Sequence, residues 1–138
     1  EDERDKLIVI LAGYTHLMKK VVDSNPGLAS RFTRSFTFNN YSVAELSDIF
    51  SYDCVKKGFT ISDDARESIT EYFATCTERT SDDFGNARFV RNLFEKTLQE
   101  LSGRLASNEN PATEELTTIT KEDFLHAIHK ETNKPKTK

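Results

Sequence analysis

Two stretches of this sequence place arginines where an anion would meet them. The first is Asp83-Phe-Gly-Asn-Ala-Arg-Phe-Val-Arg-Asn92. Asn86 is a good helix N-cap, which puts Arg88 and Arg91 in the first turn of a long helix. Cations at that end oppose the helix dipole, each at a cost of about a few tenths of a kcal/mol. An anion reverses the sign, because orphan N–H groups and both guanidiniums converge on it. The stretch is therefore a candidate phosphate site. The alternative is a pair of surface arginines answered by Asp82 and Asp83 across the turn. The second stretch is Ser24-Asn-Pro-Gly-Leu-Ala-Ser-Arg-Phe32, where Arg31 stands beside Leu28 and Phe32 after a turn. An arginine presented in this way can reach a neighbouring molecule and complete its phosphoryl-transfer site. The alternative here is an arginine on a solvated loop.

Other chemistry is thinly represented. His126 and His129 share a helix face near Glu122, a spacing that can hold a metal, but a third ligand is not evident and a solvated face is the expectation. The sequence contains no G-x-G-x-x-G, G-x-x-x-x-G-K-[ST], H-E-x-x-H or G-x-S-x-G. Cys54 and Cys76 belong to no C-x-x-C pair, and with no export signal they read as free thiols in a cytoplasmic protein.

The elements that must position these arginines have to fit in 138 residues, one domain or a domain and a fragment. Mean hydropathy is −0.60, yet ten Phe and four Tyr are too many aromatics for a disordered chain. Net charge is −4, from 19 basic and 23 acidic residues, which argues against a nucleic-acid binder. The longest apolar run, Leu7 to Ala12, is far short of the roughly 20 residues that span a bilayer. The opening Glu1-Asp2-Glu3-Arg4 lacks a Met and suggests a piece of something longer.

Residues 6–12 form a β-branched run that does not alternate, which predicts a strand covered on both faces. A helix follows over residues 15–23, stopped by Ser24-Asn25-Pro26-Gly27. Residues 28–32 predict one helical turn, and Phe36 and Phe38 alternate as in a second strand over residues 35–38. Ser42 and Glu45 form a capping box for a helix running to about Lys57, with Leu46, Ile49, Phe50 and Cys54 inward and Gly58 at its end. Residues 59–61 predict a very short strand. Ser62 or Asp63 caps a helix to about Cys76, with Ala65, Ile69, Tyr72 and Phe73 on one face. After a polar loop over residues 77–83, a long helix runs over residues 87–106 at three-and-four spacing. Residues 116–119 are another short strand candidate. Thr120 caps a last helix, with Asp123 in the Glu position of the box, and residues 134–138 predict a frayed end.

Two strands are too few for a buried parallel sheet, so the beginning of the chain reads as the end of a larger α/β domain, the alternative being that it pairs with another chain. Charge marks the same boundary: residues 1–41 sum to +1 and residues 42–138 to −5. The expected fold is thus an α/β fragment of two strands and a helix, over residues 1–41. A mainly α-helical domain with a small β-element follows over residues 42–138.

In order, Leu7-Ile-Val-Ile-Leu-Ala-Gly-Tyr-Thr15, Asn25-Pro-Gly-Leu-Ala-Ser-Arg-Phe32, Gly85-Asn-Ala-Arg-Phe-Val-Arg-Asn92 and Leu116-Thr-Thr-Ile-Thr-Lys-Glu-Asp-Phe124 resemble the C-terminal half of an AAA+ ATPase. The variant resembled is the subfamily of the red-type Rubisco activase and stage V sporulation protein K. The resemblance implies that residues 6–12 are the fourth strand of the nucleotide-binding sheet. It places Tyr14 and Thr15 at the sensor 1 position, where the usual residue is Asn. Arg31 matches the arginine finger, with Arg34 a second candidate. Arg88 matches the sensor 2 arginine, which contacts nucleotide phosphates from the lid; Arg91 has no catalytic counterpart. Residues 42–138 match the helical lid, with Thr60-Ile61 and Thr118-Ile119 as its small sheet.

The implied activity is ATP hydrolysis, with ATP and Mg²⁺, coupled to remodelling of a protein partner by a homo-oligomeric ring, a hexamer by resemblance. Nucleic acid and membrane are not expected partners. The P-loop and the Mg²⁺-holding acidic pair would lie upstream of Glu1, so the chain alone is expected to bind no cofactor and to be inactive. The alternatives are a non-enzymatic oligomerisation or adaptor module that keeps the lid fold, and a free-standing helical protein. A P-loop upstream in the parent gene discriminates between them.

Overall fold

A computed structural model describes residues 8–78 and 85–132. The chain divides into two compact units between Asn39 and Asn40. The first contains α1 (Thr15–Asp23) and α2 (Pro26–Arg31). The Lys20 and Val22 carbonyls accept from N–H groups of the turn that ends α1. Asn25 then caps α2, its side chain accepting from the Gly27 N–H at 3.0 Å, with Pro26 at the first helical position. Pro fits there because the N–H it lacks would have no helical partner.

The two strands expected in this unit are not formed among the described residues. Residues 8–14 and 32–41 are irregular, and Lys6 and Leu7 lie outside the described residues. Ile8 is 88% exposed, Ile10 82%, Phe36 82% and Phe38 93%. A strand is a paired structure: its N–H and C=O groups need a neighbour, and a β-branched run without one has nothing to make a ladder with. Such exposure of large apolar side chains marks a surface made to be covered. Residues 8–12 are therefore expected to lose amide protection within seconds in native-state hydrogen exchange, whereas residues 90–101 hold theirs at least roughly 10³-fold longer. Equal protection of the two segments would refute this.

The second unit contains α3 (Val43–Lys56), β1 (Thr60–Ile61), α4 (Asp63–Glu78), α5 (Asn86–Ala106), β2 (Thr118–Ile119) and α6 (Lys121–Thr132). The capping box at α3 is complete: the Ser42 N–H donates to Glu45 Oε2 at 2.8 Å and the Glu45 N–H to Ser42 Oγ at 3.3 Å. The Ser42 N–H and the Ser42 hydroxyl, which also donates to Glu45 Oε2 at 2.8 Å, hold the Glu45 carboxyl below its usual range. Helix α3 stops where Gly58 turns the chain at φ +79°, a conformation glycine adopts without strain. Helix α4 runs to Glu78, two residues into the expected polar loop; residues 79–83 of that loop lie outside the described residues, as do residues 134–138.

Strands β1 and β2 pair in parallel, Thr60 opposite Thr118 and Ile61 opposite Ile119, as the resemblance implied. The pairing brings Ile119 into the core at 0% exposure. The hub of that core is Phe50. Its ring meets Phe94 edge-on at 5.6 Å, Phe124 at 5.8 Å and Phe73 at 6.4 Å, so one side chain of α3 ties together α4, α5 and α6. Edge-to-face pairs of this kind contribute about 0.5–1.5 kcal/mol each beyond area burial. Leu46, Cys54, Ile69, Val90, Leu93, Leu101 and Ala127 fill the space around it. Neither Cys54 nor Cys76 forms a disulfide among the described residues, and burial pushes the Cys54 thiol up to about 12. At physiological pH that thiol is protonated and inert.

Candidate functional site

In the first unit, Tyr14 is the N-cap of α1 and Thr15 its first residue; both are exposed. The Tyr14 ring stacks against His16 at 6.3 Å. Arg31 closes α2 and is exposed, with its Nη1 donating to the Gly27 carbonyl at 3.1 Å, where the Ser30 hydroxyl also donates. Gly27 makes this close approach possible. A Cβ there would stand 3.1 Å from Asn25 Oδ1 and 3.2 Å from Arg31 Nη1, crowding both the cap and the guanidinium. Arg34 is exposed in the irregular segment beyond.

In the second unit, Arg88 and Arg91 are both exposed in the opening turns of α5. The Arg88 N–H donates to the Gly85 carbonyl at 2.9 Å, so the turn is closed tightly. Beside it, a groove of about 700 Å³ opens between α3 and α5, lined by Tyr41, Asp48, Tyr52, Asp53, Ala87 and Arg91 among others. Arg91 lines this groove and Arg88 does not, so the two arginines do not share it. Asp53 Oδ2 is shielded from solvent there and accepts no hydrogen bond from the described residues. Asp82 and Asp83, the expected answers to these arginines, lie outside the described residues.

The expectation that Asn86 caps α5 with its side chain is corrected. Gly85 occupies the N-cap position with no side-chain cap bond, and Asn86 is the first helical residue, at φ +46°. Its amide is occupied elsewhere: Oδ1 accepts from the Tyr41 N–H at 3.0 Å and Nδ2 donates to Asn40 Oδ1 at 2.8 Å. Only the folded chain brings those partners to the turn.

Sequence reasoning also missed the pair that anchors the far end of α5. Arg104 Nε donates to Asp123 Oδ1 at 2.9 Å, and its Nη2 to Asp123 Oδ2 at 3.0 Å and to the Thr118 carbonyl at 3.1 Å. Asp123 completes a capping box as well, with Oδ2 accepting from the Thr120 N–H at 3.0 Å. Burial would raise this carboxyl, but the bonds from Arg104 and Thr120 outweigh it and hold it below the usual range. The only sequence signal was the box spacing; nothing marked Arg104 as the partner.

Among the described residues no group of three or more His, Cys, Asp or Glu is placed to hold a metal, and no helix is long and apolar enough to cross a membrane.

Comparison with known proteins adds the following. Residues 42–134 match a family described as the AAA lid domain. The chain is 36% identical, over 90% of its length, to the stage V sporulation protein K of Bacillus subtilis, of which it covers 39%. It is 34% identical, over 93% of its length, to the ESX-3 secretion system protein EccA3 of Mycobacterium leprae, of which it covers 22%. Identity to the chromosomal protein CbxX of Cupriavidus necator is 34% over 91% of the chain, or 39% of that relative. The chain thus spans well under half the length of these curated relatives.

Proposed function

Since the chain belongs to the AAA lid domain family and carries the C-terminal lid region of an AAA+ ATPase, we propose that it serves a motor that couples ATP hydrolysis to remodelling of a protein partner. The observation that carries this reading is the extent of the similarity. It runs over about nine-tenths of the chain, through Arg31 and beyond the lid boundary, rather than over the lid alone.

In this reading Arg31 is the arginine finger, reaching from the end of α2 to the nucleotide of the next subunit in a ring. Arg88 is the sensor 2 arginine and contacts the phosphates in its own subunit. A guanidinium in the first turn of α5 opposes the helix dipole until an anion arrives, which supports that assignment. Tyr14 and Thr15 occupy the sensor 1 position, where a hydroxyl would replace the usual amide in orienting the attacking water. The exposed Ile8, Ile10, Phe36 and Phe38 pack against the rest of the nucleotide-binding domain in the parent. ATP and Mg²⁺ are held chiefly by that domain, and the assembly is a cytoplasmic homo-oligomeric ring.

The test is phosphate release. The 138-residue chain is expected to hydrolyse no ATP, because its sequence has no P-loop lysine to hold the γ-phosphate. The full-length parent is expected to turn over at an ordinary AAA+ rate. Turnover by the chain that survives repurification would sink this reading. A parent without hydrolysis and without a P-loop would leave an adaptor module instead.

A further inference from the structure

We propose that Asn86 is a positioning residue that fastens the chain's entry into the lid to the turn carrying Arg88. The inference rests on the reading of Arg88 as a phosphate contact and deepens it.

Asn86 is the one non-glycine residue at positive φ among the described residues. Side chains other than Asn and Asp are strained in that region, and glycine would enter it most easily. Glycine, however, has no amide. Asn tolerates the backbone and carries a donor and an acceptor on a single short arm. Both are used, and both reach about 45 residues back along the chain: the Tyr41 N–H at 3.0 Å and Asn40 Oδ1 at 2.8 Å. Asn40 is the first residue of the second unit. The segment through which the chain enters the lid is therefore hydrogen-bonded to the first helical residue of α5.

Arg88 lies two residues further along. The turn between them is stiff, since the Gly85 carbonyl accepts from both the Arg88 N–H at 2.9 Å and the Phe89 N–H at 3.3 Å. Phe89 anchors its other side against the Phe73 and Tyr72 rings at 6.5 and 6.3 Å. Arg88 consequently cannot shift relative to the core without straining the Asn86 bonds. A force on Arg88 from a bound phosphate is passed to Asn40 and Tyr41, where the lid begins.

Three variants of the full-length parent test this: Asn86→Gly, which keeps the backbone and removes both bonds, Arg88→Ala, and the two combined. Expected for Asn86→Gly are a roughly 10-fold weaker ATP Kd, measured with hydrolysis blocked, and an unfolding midpoint close to that of the wild type. The double variant should bind no worse than Arg88→Ala, because Asn86 acts through that arginine. In the 138-residue chain, the Tyr41 amide should exchange at least about 10-fold faster in Asn86→Gly. Additive losses in the double variant would overturn the proposal, as would an unchanged Tyr41 exchange rate. Weakened binding in Arg88→Ala with normal binding in Asn86→Gly would overturn it while sparing Arg88. Normal binding in Arg88→Ala would overturn the phosphate reading and this proposal with it.

Discussion

Arg31→Ala in the full-length parent is expected to leave ATP binding near wild type and to slow hydrolysis by about 10³–10⁵-fold, the range for an arginine that neutralises transition-state charge on a transferred phosphoryl group. Binding is spared because the subunit that loses Arg31 keeps its own nucleotide site; the damaged site is its neighbour's. Arg88→Ala is expected to differ in kind, weakening nucleotide binding within its own subunit. Mixing subunits separates the two. An Arg31→Ala subunit combined with one unable to bind ATP should recover some activity, because at one shared interface each supplies what the other lacks. The Arg88→Ala subunit keeps a working finger and should serve its neighbour in the same assay. Normal hydrolysis by a ring made entirely of Arg31→Ala subunits would remove Arg31 from this role and make Arg34 the residue to test.

The second large effect is on stability. Arg104→Ala in the 138-residue chain should cost about 3 kcal/mol at pH 7, the low end for breaking a buried ion pair by deleting one partner. The low end applies because the Arg104 side chain is 32% exposed, while that of Asp123 is 2% exposed and is left behind as a buried charge. In a unit of this size the loss is roughly 10–20 °C in melting temperature, read by circular dichroism.

The pH dependence should change as well. In the wild type the folded Asp123 carboxyl titrates below its unfolded value of about 3.9. Its contribution is then fully present above that pH and is lost as pH falls through the folded value. Without Arg104 only the Thr120 bonds oppose burial, so the folded carboxyl rises toward its unfolded value and the acid-side loss shrinks. Asp123→Ala should be milder, because Arg104 can turn to water and the main loss is the α6 cap, worth about 1 kcal/mol. A loss below about 1 kcal/mol for Arg104→Ala, or an unchanged acid limb, would refute this account.

What the sequence by itself determined about this protein is what is decided within a few residues. Helix α1 was legible to the residue, because its apolar stripe ends at a turn that no helix survives. The Ser42/Glu45 box fixed the start of α3, and the spacing of Val90, Phe94 and Leu101 fixed the buried face of α5. The order and spacing of the four stretches at residues 7–15, 25–32, 85–92 and 116–124 also sufficed to identify the family, since each motif is local even though its purpose is not.

The tertiary structure decided everything that depends on a distant partner. Residues 8–12 carry strong β-propensity and form no strand, because a ladder needs a second edge and propensity supplies only one. Thr60 and Thr118 carry no more local signal and do form a sheet, because α4 and α5 return the chain to the right place. Asn86 had the right chemistry for a cap and was taken instead by Asn40 and Tyr41. Asp123 read as a modest cap and became the buried partner of Arg104. In each case the local preference is worth about a kcal/mol or less. The requirement that buried polar groups find partners is worth more, so the fold overrules the segment.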